Sequence, residues 1–526
     1  MQRPTTARIS QLLFLVLFLV LFLMTEYRGS DHLSAAVNAF FRADPLVAAA
    51  FVLATKSITI LLLPALLLAI ATLLLGRFFC GWVCPLGTIL DLLPGRRGAG
   101  APPFLRRLRW WLLLPLLGAA LFSLNLAGIL DPLAILLRGL SFVLHPLLGH
   151  GVRQGWAGLY GAIGEGRDVL APAYGLLRDY VLPFRTTFYP LALLSAAMLG
   201  GILLLERLER RCWCRRLCPL GTLLGFLGRF SPFRRLPAVL CSDCGACRQL
   251  CPTTFDDAEP QPDQCILCLQ CQAGCPHDRV RFVPGAGGWR EREFLPQRRQ
   301  LLGGLLTGMA FPFLVRFRSP EEEATLLRPP GVRDEGAFLG ACVRCGECMK
   351  VCLRSALYPA LFQAGVEGLY TPVLVPRLGY CEYNCTLCGQ VCPTGAIPGL
   401  EPGAKRLEVV GKAVFKKDLC LPFAKGMECI VCEEHCPIPG KAIRFRQRTE
   451  QVPDGETVTL KMPYVVDELC NGCGICEHVC PLEGKGGIVV LAVKDRRPLQ
   501  DPLTLQHRRG GEGRSPGGTG GGVYPP

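Results

Sequence analysis

Regularly spaced cysteines constrain this chain more than any other feature. The 526 residues hold 29 cysteines, and six sets of four account for 24 of them. Cys241, Cys244, Cys247 and Cys251 are spaced C-x2-C-x2-C-x3-C and followed by Pro252. Cys265, Cys268, Cys271 and Cys275 repeat the pattern before Pro276. Four further sets follow: Cys342, Cys345, Cys348 and Cys352; Cys381, Cys385, Cys388 and Cys392; Cys420, Cys429, Cys432 and Cys436; Cys470, Cys473, Cys476 and Cys480. In a short secreted chain so much cysteine would read as disulfides. A long chain with this spacing reads as metal binding.

The spacing selects the metal. Structural zinc is held by two separated thiol pairs, whereas in the first two sets four thiols are packed tightly, twice over. Three close cysteines wrap one corner of a [4Fe-4S] cubane, and a proline-led turn carries the fourth to a neighbouring cluster. Cys241, Cys244 and Cys247 are therefore expected with Cys275, and Cys265, Cys268 and Cys271 with Cys251. In the later sets Cys352 precedes a leucine, and two first gaps widen to three and eight residues. Their exchange partners stay open, adjacent or nested. The count predicted is six [4Fe-4S] clusters. His277, His435 and His478 lie beside the cysteine runs but are not needed as ligands. No C-x-x-C-H appears, so covalent haem is not indicated.

The first half is apolar. Half of all residues are hydrophobic and the mean hydropathy is +0.33. Four runs lack any charged residue: Ile9–Met24, Ile58–Leu75, Trp110–Leu130 and Phe188–Leu205. About 20 helical residues cross a hydrocarbon core of about 30 Å, so four membrane spans are predicted. Arg3 and Arg8, the Arg77–Arg109 group and the Arg207–Arg216 group flank them on one side, which the positive-inside rule makes cytoplasmic. Asp131–Thr187 is expected as a long outer loop. Topology thus accounts for most of the net charge of +15, and nucleic-acid binding is not expected.

This half reads as a duplication. Each pair of runs encloses Asp-Pro-Leu, at Asp44–Leu46 and Asp131–Leu133, and each ends in Cys-x3-Cys-Pro-Leu-Gly-Thr. The second motif residues are Cys80 with Cys84, and Cys214 with Cys218. Each pair is too close in sequence to enclose a cluster alone. Together they supply four thiols, as a dithiol couple or a seventh metal centre. Cys212 has no counterpart in the first repeat and reads as a bystander. Between the second and third quartets, Arg298-Arg299 precede an apolar stretch, Leu301–Val315. That has the form of a twin-arginine export signal, retained as a fifth membrane anchor.

The expected fold is an α-helical membrane bundle, four spans plus the anchor, with α+β ferredoxin-type domains. Residues 1–235 form the membrane domain and 236–285 a two-cluster ferredoxin. Residues 286–320 form the signal or anchor helix and 330–490 a four-cluster ferredoxin. The Gly-rich tail, 491–526, is too polar to bury a core. On these motifs, residues ~1–285 resemble the membrane ferredoxin subunit of periplasmic nitrate reductase systems, a quinol dehydrogenase component whose module also occurs in nitrous-oxide reductase regulators. Residues ~296–490 resemble the partner periplasmic ferredoxin of those systems and of methylamine utilisation.

The resemblance implies electrons passing from the membrane quinone pool through clusters to a periplasmic reductase or cytochrome. It implies a multi-pass protein of the bacterial inner membrane, with the first ferredoxin cytoplasmic and the second periplasmic. The competing readings are a copper-reducing assembly factor and a cluster-based sensor or scaffold. His32, His145 and His150 are expected on the outer side, where a quinol would be met.

Overall fold

The computed structural model describes residues 5–93, 103–163, 167–236, 244, 246–253, 264–284, 298–315, 325–451, 457–493 and 497–499. Cys241 and most of the tail lie outside them. Two compact units result: Met1–Leu374 with Thr386–Gly399, and Val375–Cys385 with Leu400–Pro526. The division falls inside the region expected as a single four-cluster ferredoxin.

Apolar helices build the first unit. Thr5–Met24 is a Leu- and Phe-rich helix of 20 residues. At its start, Gln11 Nε2 donates to the Gly81 carbonyl (2.8 Å) and to Asp91 (2.9 Å). Just past its end, the Thr25 carbonyl accepts from Lys350 Nζ at 2.7 Å. Helix Ala192–Leu208 runs the other way. Ser195, near its start, bonds the Tyr370 hydroxyl (3.1 Å), and Glu206, near its end, accepts the Arg211 N–H. The unit therefore has a cysteine end, around Cys80 and Cys218, and an aspartate end, around Asp44 and Asp131. Several helices turn large apolar side chains outward: Leu13, Leu67, Leu193 and Leu204 are all more than half exposed.

Two described helices are long and apolar enough to cross a membrane, Thr6–Met24 and Pro132–Ala162. Pro45–Thr55, Ile60–Leu75, Leu108–Leu121 and Pro219–Gly228 are apolar but shorter. Two expectations are corrected. The run Trp110–Leu130 is not one helix: Pro103–Leu121 ends, Ser123 turns left-handed (φ 60°), and Asn125 Oδ1 accepts the Ala127 N–H (3.2 Å) where a short helix, Ala127–Leu130, begins. The loop Asp131–Thr187 is mostly helical. Asp131 accepts the Ala134 N–H at 2.8 Å and Pro132 starts the helix. Leucine-rich sequence then continues it through a π turn at Leu140–Leu144 into His145–Ile163. Counting Arg residues along this segment misses its amphipathic pattern.

Helix Arg298–Val315, the expected anchor, packs along Pro103–Leu121. A Cβ at Gly308 would overlap the Pro115 carbonyl, and one at Gly304 would press on Leu114. This Gly-x3-Gly stripe lets the backbones meet, and Phe313 closes the contact edge-on to Phe122 at 5.4 Å. The Arg298 and Arg299 side chains are exposed.

Short antiparallel ladders tie off the cysteine-rich segments. Phe233–Leu236 pairs with Arg281–Pro284, bracketing the first two quartets. Leu357–Pro359 pairs with Pro372–Leu374 in the first unit. In the second unit Lys412–Phe415 pairs with Ile488–Leu491, and Ile443–Gln451 with Thr457–Val465.

Candidate iron–sulfur sites and a four-thiol site between the repeats

The three tight cysteine trios that lie among the described residues share one local backbone. In C-x2-C-x2-C, the residue before the second cysteine and the residue after it both take positive φ. They are Leu267 and Leu269 (51° and 56°), Arg344 and Gly346 (54° and 93°), and Gly472 and Gly474 (73° and 87°). For a non-glycine residue this conformation costs on the order of 1–2 kcal/mol. It curls the loop around the second cysteine of each trio. The trios with widened gaps lack this pair of turns.

A fourth thiol joins each gathered trio from a neighbouring quartet. Cys265 lies within electrostatic reach of Cys251, Cys268 and Cys271. Cys348 is near Cys345, Cys342, Cys392 and Cys388. Cys420, Cys429, Cys432 and Cys480 line one apolar cavity. Cys476 is near Cys473, Cys470, Cys432 and Cys436. These groupings join thiols of adjacent quartets, one of the two alternatives that spacing left open. Of the remaining trio, Cys381 and Cys385 belong to the second unit and Cys388 to the first. Cys352 and Cys388 lie in the first unit. Cys244 is exposed and Cys275 half-buried, while their expected companions Cys241 and Cys247 have no described side chain.

These thiol sets fit an iron–sulfur cluster. Backbone N–H groups point at the exchanged sulfurs: Ile397 at Cys392 (3.4 Å) and Gly487 at Cys480 (3.3 Å). Such bonds stabilise sulfur carrying negative charge and tune a bound cluster. Burial and the neighbouring Cys429 and Cys420 push the Cys432 thiol up to about 12. Loading these sites must therefore expel protons. Of the nearby histidines, His435 and His478 bond backbone carbonyls of Val431 and Arg377.

At the cysteine end of the first unit the two Cys-x3-Cys-Pro motifs come together. Cys84 lies within electrostatic reach of Cys80 and Cys214, and Cys218 of Cys214 and Cys80. None of the four is in a disulfide. Cys84 caps helix Pro85–Leu92 and Cys218 caps Pro219–Gly228, each accepting an N–H from the first turn, of Gly87 (3.4 Å) and Gly221 (3.2 Å). Burial, then the neighbouring thiols, raise both. Cys212 stands apart, facing Glu209, Arg215 and Arg216.

Two arginines, missed by motif reading, complete this site. Arg211 is fully buried, bonded to Asp91 and to the carbonyls of Cys80 (2.8 Å) and Gly87 (3.3 Å). Arg77 is 3% exposed and donates to Cys80 Sγ (3.3 Å) and the Cys214 carbonyl (2.8 Å). The site adjoins the first ferredoxin. Trp82 Nε1 donates to the Leu267 carbonyl (2.9 Å), and a Cβ at Gly81 would overlap the Ile266 carbonyl. At the aspartate end the backbone of Gly128 meets Val343, and Arg138 donates to the Arg344 carbonyl (3.2 Å). Two thiol sites thus stand at opposite ends of the same helices.

The "4Fe-4S binding domain" family matches residues 57–102 and 190–237. These are the segments that carry the two Cys-x3-Cys-Pro motifs, not the quartets. The methylamine utilization ferredoxin-type protein MauM of Methylorubrum extorquens is 35% identical over 234 residues, 42% of this chain and 96% of that relative. The chain belongs to the MauM/NapG ferredoxin-type family. The ferredoxin-type protein NapG of Haemophilus influenzae is 32% identical over 194 residues, 36% of this chain and 68% of that relative. The putative electron transport protein YccM of Escherichia coli K12 is 30% identical over 223 residues, 40% of this chain and 53% of its own length. No solved structure matches. The chain is thus an iron–sulfur protein of ferredoxin type with 4Fe-4S binding domains.

Proposed function

We propose that this protein carries electrons from a membrane quinol, through six [4Fe-4S] clusters held by the quartet cysteines, to a periplasmic reductase or cytochrome. It does so as a fusion of a membrane quinol-dehydrogenase subunit with a periplasmic ferredoxin. Four helices and the Arg298–Val315 anchor span the inner membrane. The first ferredoxin lies in the cytoplasm and the second outside. One observation carries this reading: thiol sites stand at both ends of the apolar helices of the first unit, near Gly81 and near Gly128. Outward-facing leucines on those helices support immersion in lipid.

Clusters bound at such sites supply one-electron steps. The residues of the chain must then bind the quinol and take its protons. At the aspartate end a narrow cleft of about 30 Å³ is lined by Glu26, Ser141, His145, Tyr189, Lys350 and Cys352, and it shares Glu26 and Phe184 with a wider cleft of about 710 Å³. His145 stacks edge-on to Phe22 (5.4 Å), bonds the Val181 carbonyl (3.0 Å) and lies 3.9 Å from Glu26. Lys350 stands 3.6 Å from the same carboxylate. An imidazole backed by a carboxylate can receive a hydroxyl proton, and the adjoining Cys352 belongs to a predicted ligand quartet. His32 and His150 do not line the cleft. His32 bonds Gln390 and His150 meets Phe188.

Anaerobic addition of a quinol analogue to the purified protein should bleach the cluster absorbance. His145→Gln should slow that bleaching at least tenfold and leave reduction by dithionite unchanged. No bleaching by quinol, with full bleaching by dithionite, rules out quinol input. Replacing Arg298 and Arg299 by Lys should leave a reporter fused after Leu499 in the cytoplasm.

A further inference from the structure

We infer that the wide cleft at the aspartate end is a binding site for an anionic phosphate headgroup, carried there by a lipid. Arg28 and Arg153 are its fixed cations. The inference rests on the reading that the apolar helices lie in a membrane.

The cleft encloses about 710 Å³, and Tyr27, Arg28, Arg153, Tyr174, Arg178 and Phe184 are among the residues that line it. That volume is of the size that takes a small-molecule ligand. Much of its wall comes from a segment with no counterpart in the first repeat. The second repeat is longer between Asp131 and Cys214 than the first is between Asp44 and Cys80, and the extra residues include helices His145–Ile163 and Arg167–Tyr180. Trp156 of one helix stacks on Tyr174 of the other at 5.4 Å. Beyond them the Phe184 N–H donates to Glu26 (2.6 Å), and the Phe184 ring meets Tyr27 edge-on at 5.3 Å.

Two arginines of this cleft are held in place without being neutralised. Arg28 Nη2 donates to the carbonyls of Leu23 and Tyr180, both at 2.9 Å, and the guanidinium lies 5.4 Å from the centre of the Tyr180 ring. Arg153 Nη2 donates to the Pro183 carbonyl. Neither has a carboxylate partner among the described residues. The two carboxylates that line the cleft are engaged elsewhere. Asp179 accepts from Arg178 at 2.9 Å, and Glu26 faces Lys350 (3.6 Å) and His145 (3.9 Å). The carbonyls thus fix each guanidinium and leave its charge and its other N–H groups available. An arginine fork matches the paired oxygens of a phosphate.

The rim favours a lipid-borne phosphate over a free one. Leu176, Tyr180, Val181 and Phe184 are all between 44% and 64% exposed. Aliphatic and aromatic side chains beside arginine suit the boundary between headgroups and acyl chains. These arginines also stand at the end that the proposed topology makes outer, where the positive-inside rule gives no reason for them. A local anion does.

Native mass spectrometry of the full chain in detergent tests this, with phosphatidylglycerol and phosphatidylcholine added in turn. Wild type should retain one phosphatidylglycerol and bind it about tenfold more tightly than phosphatidylcholine, as two cations beside an anionic headgroup should produce. Arg28→Gln combined with Arg153→Gln should abolish that preference. Arg28→Lys combined with Arg153→Lys keeps both charges and should preserve most of it, which separates lost charge from lost folding. Arg178→Gln, at an exposed arginine paired with Asp179, should change it less than about twofold. Equal binding of the two lipids by wild type, or an unchanged preference in the Gln variant, overturns the inference. So does displacement of the lipid by inorganic phosphate at equal concentration, which would make the ligand a free anion. Alkaline carbonate washing of membranes judges the immersion reading separately. A chain that stays in the membrane but shows no lipid preference removes this site alone, and a chain that washes out removes the immersion reading itself.

Discussion

At one end of the first unit Asp44 and Asp131 cap helices that begin with Pro45 and Pro132; at the other, Cys84 and Cys218 cap helices that begin with Pro85 and Pro219. All four side chains accept an N–H from the first turn, and all four are followed by Pro-Leu. The backbone device is the same and the chemistry differs. Two carboxyl groups brought together in a dry place must share a proton. Burial first, and then Asp131, push the Asp44 carboxyl well above its ordinary range. Four thiols brought together beside Arg77 can instead ionise onto a metal. One duplicated fold thereby offers a carboxyl end and a thiol end. Which chemistry it offers is set by one residue before each proline.

The largest break in this comparison comes from glycine contacts. Gly128→Ala would drive a methyl group into the Val343 carbonyl, and backbone cannot swing aside as a side-chain tip can. A loss of about 3 kcal/mol, near the upper range for overpacking, is expected in chemical unfolding. Gly200→Ala, with open space around it, should be neutral within about 0.5 kcal/mol. Gly221→Ala displaces a movable guanidinium rather than backbone. It should cost about 1–2 kcal/mol, less than Gly128→Ala in the same unfolding measurement.

A smaller effect is expected at the aspartate end. Asp44→Ala removes the acceptor for the Leu46 and Val47 N–H groups (2.7 and 3.3 Å), a loss of about 1 kcal/mol. Asp44→Asn keeps an acceptor and should cost less. The sign of its pH dependence is set by the raised carboxyl. The protonated form is favoured in the folded state, so its contribution is whole below the ordinary carboxyl range, near 4. It is lost as pH rises through the raised value. Wild type should therefore lose some stability above pH 4 that Asp44→Asn does not lose. A thermal-unfolding series at several pH values reads the difference. Equal slopes would mean that the two carboxyls do not share a proton.

What the sequence revealed follows the range over which each site is assembled. A tight trio such as Cys265, Cys268 and Cys271 is closed by its own loop, and its spacing alone is legible. The placement of Cys392 and Cys480 beside thiols of the adjacent quartets needed the fold, because spacing alone leaves adjacent and nested pairing equally open. The duplication exposed the four thiols of the cysteine end, yet Arg77 and Arg211 read only as basic residues beside an apolar run. Their burial follows from long-range packing, in which Arg211 reaches Cys80 and Arg77 reaches Cys214. The helical character of residues 132–162 was hidden by the same habit of counting charges. Arg138 there is buried against the Tyr370 ring at 4.2 Å instead of marking a loop.

The central claim is that electrons pass between the two ends of the helical unit. Purified protein would be inserted into sealed vesicles with cytochrome c trapped inside and a membrane-impermeant reductant outside. Reduction of the trapped cytochrome at a rate proportional to the protein inserted, and strongly slowed by Cys84→Ser with Cys218→Ser, is the result predicted. Rapid reduction of cytochrome c placed outside, with none inside, would contradict it.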